Sequence, residues 1–383
     1  MSRTQPVAVL QQSPFEATHR PVSEARHAPG FIYTSPEVYE RERAEIFMRD
    51  WLCVGREEEV ANAGDYMALR IVGEPLLVAR AEDGSVNAFS NICAHRGVEV
   101  ASGSGNKRAF TCPFHGWTYD HHGRLVGAPH MGTSERFDPA SCRLPPVRLT
   151  LWKGWIFVNF SDTAPEFSVG VRQLEQDFDF LRQEECALAV KTVSEVDCNW
   201  KLVVENLIDL YHVNVVHRGT NGKLFTPDAF RFEARPDGGY VAEYNSGPST
   251  FSRKPVFGKA PWLEDRPDNF SMAGRLAPNF TLFARVDTVH PYVIWPLGVD
   301  RARIIVYTLL PKIYFDQPNF AERVEAYRAF QKQVVQEDSA MLESMQNGLC
   351  SGRFEPGRMA DIECGVQHVV KSYLDRMFPR TAN

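Results

Sequence analysis

Residues Asn91 to Asp120 read N-I-C-A-H-R-G-V-E-V-A-S-G-S-G-N-K-R-A-F-T-C-P-F-H-G-W-T-Y-D. Within them stand Cys93-x-His95 and, after sixteen intervening residues, Cys112-x-x-His115. Two soft thiolates and two imidazoles, offered from a pair of short loops, make a four-ligand metal site. That donor set fits either a closed tetrahedral zinc or a 2Fe–2S cluster in which two His replace two Cys on one iron. The surroundings favour the cluster. A zinc finger follows its Cys pair with a helix bearing both His, whereas here each loop brings one Cys and one His. Gly97, Gly103, Gly105, Pro113 and Gly116 predict tight loops closing over a buried group from hairpin tips.

The rest of the composition bounds what surrounds this site. A chain of 383 residues with 44% hydrophobic content can core two domains, and no fixed-period repeat interrupts it. Net charge is −6 with Lys and Arg dispersed, so a phosphate-binding stripe is absent and nucleic acid is not an expected partner. Of eight cysteines only Cys93 and Cys112 stand at metal-ligand spacing. The other six (Cys53, Cys142, Cys186, Cys198, Cys350, Cys364) read as small buried hydrophobes in a reducing compartment. No run approaches a membrane span, and the apolar stretch Val7 to Leu10 is too short for a secretory signal. The expected location is the cytoplasm, with no membrane partner.

Along the chain, the prolines at 6, 14, 21 and 29 predict an extended arm, and Ser35-Pro36-Glu37 opens a helix with cap, first-turn Pro and first-turn acid in favoured places. Together they form a first segment, 1–45. Strands follow at Tyr66–Val72, Leu76–Arg80 and Val86–Ile92, the last running into the first cluster loop; Trp155–Phe160 closes an all-β domain, 46–164. His121 and His122 lie in a D-H-H-G hairpin tip and read as a solvated turn. Ser161 to Pro165 marks the boundary to a second domain, 165–383.

That second domain carries a further cluster of donors in C-N-W-K-L-V-V-E-N-L-I-D-L-Y-H-V-N-V-V-H, Cys198 to His217. Spacings of four and three place Glu205, Asp209 and His212 on one helix face, while His217 meets the same point only if the helix distorts or ends near Val213. A non-haem Fe(II) site with two imidazoles needs one carboxylate and keeps open positions. The last long helix, expected from Pro318 to Gly348 with Phe320, Val324, Tyr327, Val334, Met341 and Met345 as its apolar stripe, embeds Glu337-Asp338. Taken singly, such a His is more often a satisfied core residue and such acids more often solvated. The cluster loop upstream tips the balance, because a one-electron carrier needs an acceptor.

At this point the chain resembles the catalytic alpha subunit of the Rieske non-haem iron oxygenases, from about Tyr39 to the C terminus. The resemblance rests on the Rieske loop, N-W-K, E-N, Asp-x-Tyr-His and the later His. It implies an α+β fold, with an all-β Rieske 2Fe–2S domain followed by a START-like, helix-grip catalytic domain of helices and antiparallel sheet. It implies cluster ligands Cys93, His95, Cys112 and His115, and mononuclear iron ligands His212, His217 and Asp338, with Glu337 as the alternative acid. Asp209 is then the catalytic acid joining the two centres. Electrons from NAD(P)H arrive through a separate reductase or ferredoxin, and O2 is consumed in oxidising a small-molecule substrate. The family's two centres within one chain are too far apart to exchange electrons, so a homotrimer is expected in which the productive pair spans two subunits.

On substrate, the four-residue spacing from Glu205 to Asp209 and the tail Q-N-G-L-C-S-G-R-F-E-P-G-R look like the choline, carnitine and betaine monooxygenase branch and its demethylating relatives. The expected reaction is hydroxylation or oxidative N- or O-dealkylation; hydroxylation of an aromatic ring is the alternative. Strands near Tyr292–Trp295 and Arg303–Leu310 are expected to wall the substrate pocket. The aromatic-rich segment 218–275 is expected to supply a lid, with most of its rings in the core.

Overall fold

In the computed structural model, which describes residues 13–222 and 225–379, the alternating run after Leu52 folds into antiparallel strands. Contacts divide the chain into a unit of residues 48–164 and a larger one that joins the stretch before it to the stretch after it. In the smaller unit, seven strands pair in the order Leu52–Arg56, Trp155–Asn159, Pro146–Trp152, Val86–Ser90, Glu74–Arg80, Asp65–Ile71 and Ser104–Asn106. Three short strands, Phe110–Thr111, Thr118–Tyr119 and Leu125–Gly127, form a separate sheet that presents the second cluster loop. Tyr66, Leu77, Phe89, Phe110, Trp117, Tyr119 and Leu144 are buried together with Cys93 and Cys112, so the two thiols belong to the hydrophobic core. Burial of such rings is the main favourable contribution to a unit this small.

The D-H-H-G tip differs from the expected solvated turn. The Asp120 carboxylate accepts from His122 N and Arg124 N, each at 2.9 Å, and this closes the turn so that His121 faces inward. His121 is buried, donates from Nε2 to the Lys107 carbonyl at 2.8 Å and meets Phe110 edge-on. Of the six other cysteines expected to be buried, Cys350 is exposed and Cys142 and Cys364 are half-buried, and no disulfide joins any of the eight.

The larger unit is built on a second seven-stranded antiparallel sheet. Its order is Cys186–Val196, Ala302–Pro311, Val289–Pro296, Phe280–Arg285, Phe270–Leu276, Tyr240–Asn245 and Arg231–Ala234. The first strand of this unit thus pairs with the last, and the helices that follow each of them, Trp200–Asn206 and Glu325–Leu349, are brought together. Helix Phe167–Phe178 packs on the sheet at Gly274, where a Cβ would stand 2.3 Å from Phe178 Cε2; only a glycine admits that ring.

Residues 13–47 do not form the separate extended arm that the prolines suggested. They fold as short helical turns and belong to the larger unit. Helix Pro36–Glu42 starts as its sequence predicts, with Ser35 Oγ accepting from Val38 N at 3.2 Å. Its polar Glu42 is fully buried, however. That carboxylate receives Trp200 Nε1 at 2.8 Å, Tyr373 Oη at 2.6 Å and the Lys201 ammonium. Gln367 Nε2 donates to the carbonyls of Thr18 and Arg20, at 3.0 and 2.6 Å, and Arg41 Nη2 to that of Met377. The beginning of the chain is therefore stapled to its last helix, Cys364–Met377.

Candidate metal centres and substrate cavity

The two loops of the smaller unit are closed by the same pair of backbone hydrogen bonds. Cys93 N donates to Val98 O at 2.8 Å and Gly97 N returns to Cys93 O at 2.9 Å; Cys112 N donates to Trp117 O at 2.7 Å and Gly116 N to Cys112 O at 3.1 Å. Each ring needs a left-handed residue four places after its Cys, and Gly97 (φ 77°) and Gly116 (φ 74°) supply it. The equivalent loops push both thiols into the core and leave both imidazoles exposed. His95 Nδ1 and His115 Nδ1 face one another at 3.1 Å. That is close to the separation of two nitrogens sharing one tetrahedral metal at bonds of about 2.0–2.1 Å, so the four residues could hold the cluster with its His end outward.

Side chains around the loops are ordered to suit. Trp117 stacks on the His95 ring at 4.9 Å and 11°. Ala94 N donates to Tyr119 Oη at 3.0 Å, and that hydroxyl stands 3.2 Å from Cys93 Sγ. Burial, and then the neighbouring Cys93 thiol, hold the Tyr119 phenol well above its ordinary range, so it stays a hydrogen-bond donor. Tyr119 was missed in the sequence, although it lies inside the decisive stretch; nothing in its spacing says that the strand returns it beneath Cys93.

In the larger unit the helix bearing N-W-K ends at Asn206, sooner than the spacing suggested. Asp209 and His212 therefore do not share a helix face with Glu205. Asp209 Oδ1 accepts from Tyr211 N at 2.8 Å, forming a tight turn, and its Oδ2 stands 3.1 Å from His212 Nδ1. A second short helix, Val213–Val216, then carries the chain one turn on to His217. This break is what lets two His five residues apart converge: His212 Nε2 is 3.3 Å from His217 Nε2.

Asp338, on the long helix, completes the group. Its Oδ1 is 3.0 Å from His217 Nε2 and 3.5 Å from His212 Nε2, yet makes no hydrogen bond of acceptable angle. Three atoms 3.0 to 3.5 Å apart match a facial set of ligands, since bonds of about 2.1 Å at right angles give edges of about 3 Å. Burial opposes charge on His212, but Asp209 and Asp338 outweigh it and raise the imidazole to about 9. Burial likewise opposes ionisation of Asp338, yet the two imidazoles hold its carboxyl down at about 2. Such a site has a standing affinity for positive charge. The adjacent acid, Glu337, takes a different part: its Oε2 lies 2.7 Å from His217 Nδ1 and accepts from Thr220 Oγ1 at 2.7 Å. A metal-binding imidazole is commonly held by an acid in this way.

These residues open on a cavity that is also lined by Phe225, Tyr244, Phe283, Arg285, Tyr292 and Phe330. Of the expected walls, the strand around Tyr292 contributes, but 303–310 does not; its Thr308 is instead taken up by Gln331 of the long helix. Phe225 and Tyr244 are the lining rings from the aromatic-rich segment, whereas Phe257 packs in a separate core with Tyr314 and Tyr327. Met341 and Met345, expected on the buried stripe, are half exposed on the same helix as Asp338. Arg285 was not anticipated, although a charge ending the apolar run F-T-L-F-A-R is a legible signal.

Residues 50–144 match the family described as Rieske 2Fe-2S domain, and residues 183–378 the one described as ring hydroxylating alpha subunit, catalytic domain. Carnitine monooxygenase oxygenase subunit of Acinetobacter pittii is 34% identical over 199 residues, 50% of this chain and 52% of that protein. The match thus spans about half the length of that relative. Chloroplastic choline monooxygenase of Arabidopsis thaliana is 27% identical over 368 residues, 91% of this chain and 82% of that protein. Among solved structures, a quaternary ammonium Rieske monooxygenase in complex with L-carnitine superposes with a TM-score of 0.77 at 23% identity, covering 94% of this chain and 98% of that one. Naphthalene 1,2-dioxygenase from Rhodococcus does so with 0.75 at 22% identity, covering 93% and 95%. At these identities the structural likeness is one of fold. With just over half of its residues matched to the catalytic domain and the Rieske domain matched ahead of it, the chain belongs to the ring-hydroxylating alpha subunits of the Rieske oxygenases.

Proposed function

We propose that this chain is the oxygenase component of a Rieske monooxygenase system that hydroxylates or oxidatively dealkylates a small organic substrate. The observation that carries the reading is the convergence of His212 Nε2, His217 Nε2 and Asp338 Oδ1 within 3.0–3.5 Å at the wall of a cavity. Iron held by these three residues supplies activation of O2 when bound. Cys93, His95, Cys112 and His115 would hold the 2Fe–2S cluster, which would supply storage of one electron at a time. A separate reductase or ferredoxin, drawing on NAD(P)H, feeds it. The work is done in the cytoplasm; among the described residues no helix is long and apolar enough to cross a membrane.

The chain's own groups set the geometry. Asp209 Oδ2 stands 3.1 Å from His212 Nδ1 as a charge neighbour, and Glu337 holds His217 through Nδ1, so both Nε2 atoms are turned towards Asp338. The lining rings keep water from the substrate and orient its reacting carbon. In the overall balance, O2, two electrons and two protons convert an N-methyl group to N-hydroxymethyl plus water, and the carbinol then breaks to the amine and formaldehyde. We further propose a homotrimer, in which Asp209 joins His212 to His115 of a neighbouring subunit. Tyr211, Val215, Met341 and Met345 are exposed on the segments that carry Asp209, His212 and Asp338, as a buried subunit contact would require. A solved relative in this family carries inter-subunit electron transfer in its description.

The test is O2 uptake by the chain with NADH and a reductase, against a panel of N-methyl and O-methyl compounds. Formaldehyde released in step with O2 supports the reading. A cis-diol product would move the chain to the ring-hydroxylating alternative, and a preparation holding two rather than about three irons per chain would rule out the mononuclear site.

A further inference from the structure

The cavity lined by His212, His217 and Asp338 also contains a cation with no ion-pair partner among the described residues. Arg285 ends the strand Phe280–Arg285 and is only 6% exposed. Its Nη1 donates to Tyr244 Oη and to the Ala284 carbonyl, both at 3.2 Å. Its Nε is buried with no hydrogen-bond partner, and its Nη2 makes no hydrogen bond to any described residue. Among the described residues no carboxylate lies within ion-pair distance of it. The nearby Asp287 feels the charge of Arg285 only as a minor effect beside its burial, and its oxygens are taken by Tyr327 Oη at 2.6 Å and Thr288 Oγ1 at 3.2 Å. His290, another lining residue, brings no negative charge: burial, then the charge of Arg285, push its imidazole down to about 3, so it is neutral.

An unpaired buried guanidinium is costly, and buried polar groups that lack a protein partner are rare in folded proteins. The cost is met if a ligand completes the site. The unmatched Nε–Nη2 edge is a planar two-donor fork, which fits the two oxygens of a carboxylate side-on. A single positive charge, with the Ser246 and Ser249 hydroxyls also lining the cavity, suits one negative charge better than the two of a phosphate ester. The Arg285 carbon already lies 5.4 Å from the centre of the Tyr244 ring, so that face is taken by a cation and is closed to a substrate bearing positive charge alone.

We propose that Arg285 is the specificity-determining residue of this cavity and that the substrate is a small carboxylate. Its acid end sits on the Nε–Nη2 edge while the alkyl carbon to be oxidised reaches the triad of His212, His217 and Asp338. The inference rests on the oxygenase reading given above and names its substrate class. Two kinds of molecule present this chemistry, trimethylammonium carboxylates and methoxyaryl carboxylates, and matched pairs separate them.

Binding of γ-butyrobetaine against its carboxamide, and of 4-methoxybenzoate against 4-methoxybenzamide, would be measured anaerobically by calorimetry on the iron- and cluster-loaded protein. In one pair the acid should bind on the order of 10- to 100-fold tighter than the amide. Arg285→Gln should erase that preference, and Arg285→Lys should keep part of it, with the change falling in KM rather than kcat. If the variants fail to fold, the wild-type pairs decide alone: equal affinity for acid and amide in both pairs overturns the inference. Oxygen uptake separates the two layers of the argument. Turnover of amides as readily as acids sinks the carboxylate site and keeps the oxygenase, whereas acid-selective binding without any uptake does the reverse.

Discussion

Glu337 Oε2 lies 2.7 Å from His217 Nδ1, while the next residue, Asp338, places Oδ1 3.0 Å from the opposite nitrogen of the same ring. Two consecutive acids thus flank one imidazole on opposite edges, Glu337 by a hydrogen bond and Asp338 by charge alone, and only Asp338 faces His212. Asp338→Ala or His212→Ala should remove one iron per chain and leave the visible spectrum of the cluster unchanged, because the two centres are built in separate units. Glu337→Gln should retain that iron but weaken it by about 10–100-fold, as removal of an orienting acid does. Metal analysis after graded chelation reads both. Full retention in Asp338→Ala with loss in Glu337→Ala would reverse the assignment.

Iron affinity should depend on pH through His212. Its imidazole, raised to about 9, carries a proton in the metal-free protein at neutral pH, and a metal must displace it. Apparent affinity should fall at least about tenfold for each pH unit below 9, the likewise raised His217 imidazole steepening the slope, and level off above it. Stability of the metal-free protein runs in the opposite direction. The raised imidazole stabilises the fold fully below its ordinary 6.5, and that contribution is lost as pH rises through about 9. Chelator competition and thermal melting between pH 6 and 9.5 measure the two trends; a pH-independent affinity would contradict the first.

His95→Cys or His115→Cys should keep a cluster but drop its potential towards the ~−400 mV of all-Cys ferredoxins, since imidazole ligands are what raise it. The 3.1 Å approach of the two Nδ1 atoms is the spacing expected of two ligands to one metal, so each replacement should act. Redox titration reads the shift, and an unchanged midpoint would mean that the imidazoles do not ligate.

Asp209→Asn should leave both metals bound and the cluster still reducible by its external donor, yet slow transfer between centres by more than the 10–100-fold of an ordinary orienting residue. Its carboxylate is 3.1 Å from His212 Nδ1, and an amide there makes a weaker bond than a charged acceptor. Single-turnover oxidation of a pre-reduced cluster is the measurement. A wild-type rate in the variant would confine Asp209 to orienting His212.

Glu42→Ala should destabilise the larger unit by about 3–5 kcal/mol, because it strands the Lys201 ammonium without its partner. Burial already lowers the Lys201 ammonium, with Glu42 opposing that shift, so the variant would favour the neutral amine. Chemical denaturation gives the number. A loss below 1 kcal/mol would mean that water replaces the carboxylate.

The loops at 93–98 and 112–117 were legible because ligand chemistry and turn glycines are local, and a cysteine with a left-handed residue four places on closes the same ring twice. The strands of the smaller unit showed in their sequence pattern, whereas those of the larger unit came only with the family resemblance. What the sequence concealed depends on the chain returning to itself. The end of the helix at Asn206, which makes His212 and His217 converge, is set by Asp209 capping the following turn rather than by any helix breaker. Glu42 sits at a polar position of an ordinary helix start, and only Trp200, Lys201 and Tyr373 from distant segments make it a buried acid. Met341 and Met345 match the helical period yet are exposed, since periodicity marks an apolar face without naming what covers it.

The staple between the first described residues and helix Cys364–Met377 sets an order of assembly on the ribosome. Residues 48–164 are contiguous and can fold as soon as they emerge, whereas the larger unit waits for its last helix. At ordinary synthesis rates the interval is roughly 10 to 40 s. A nascent chain would therefore close its two cysteine loops well before Asp338 has met the two histidines.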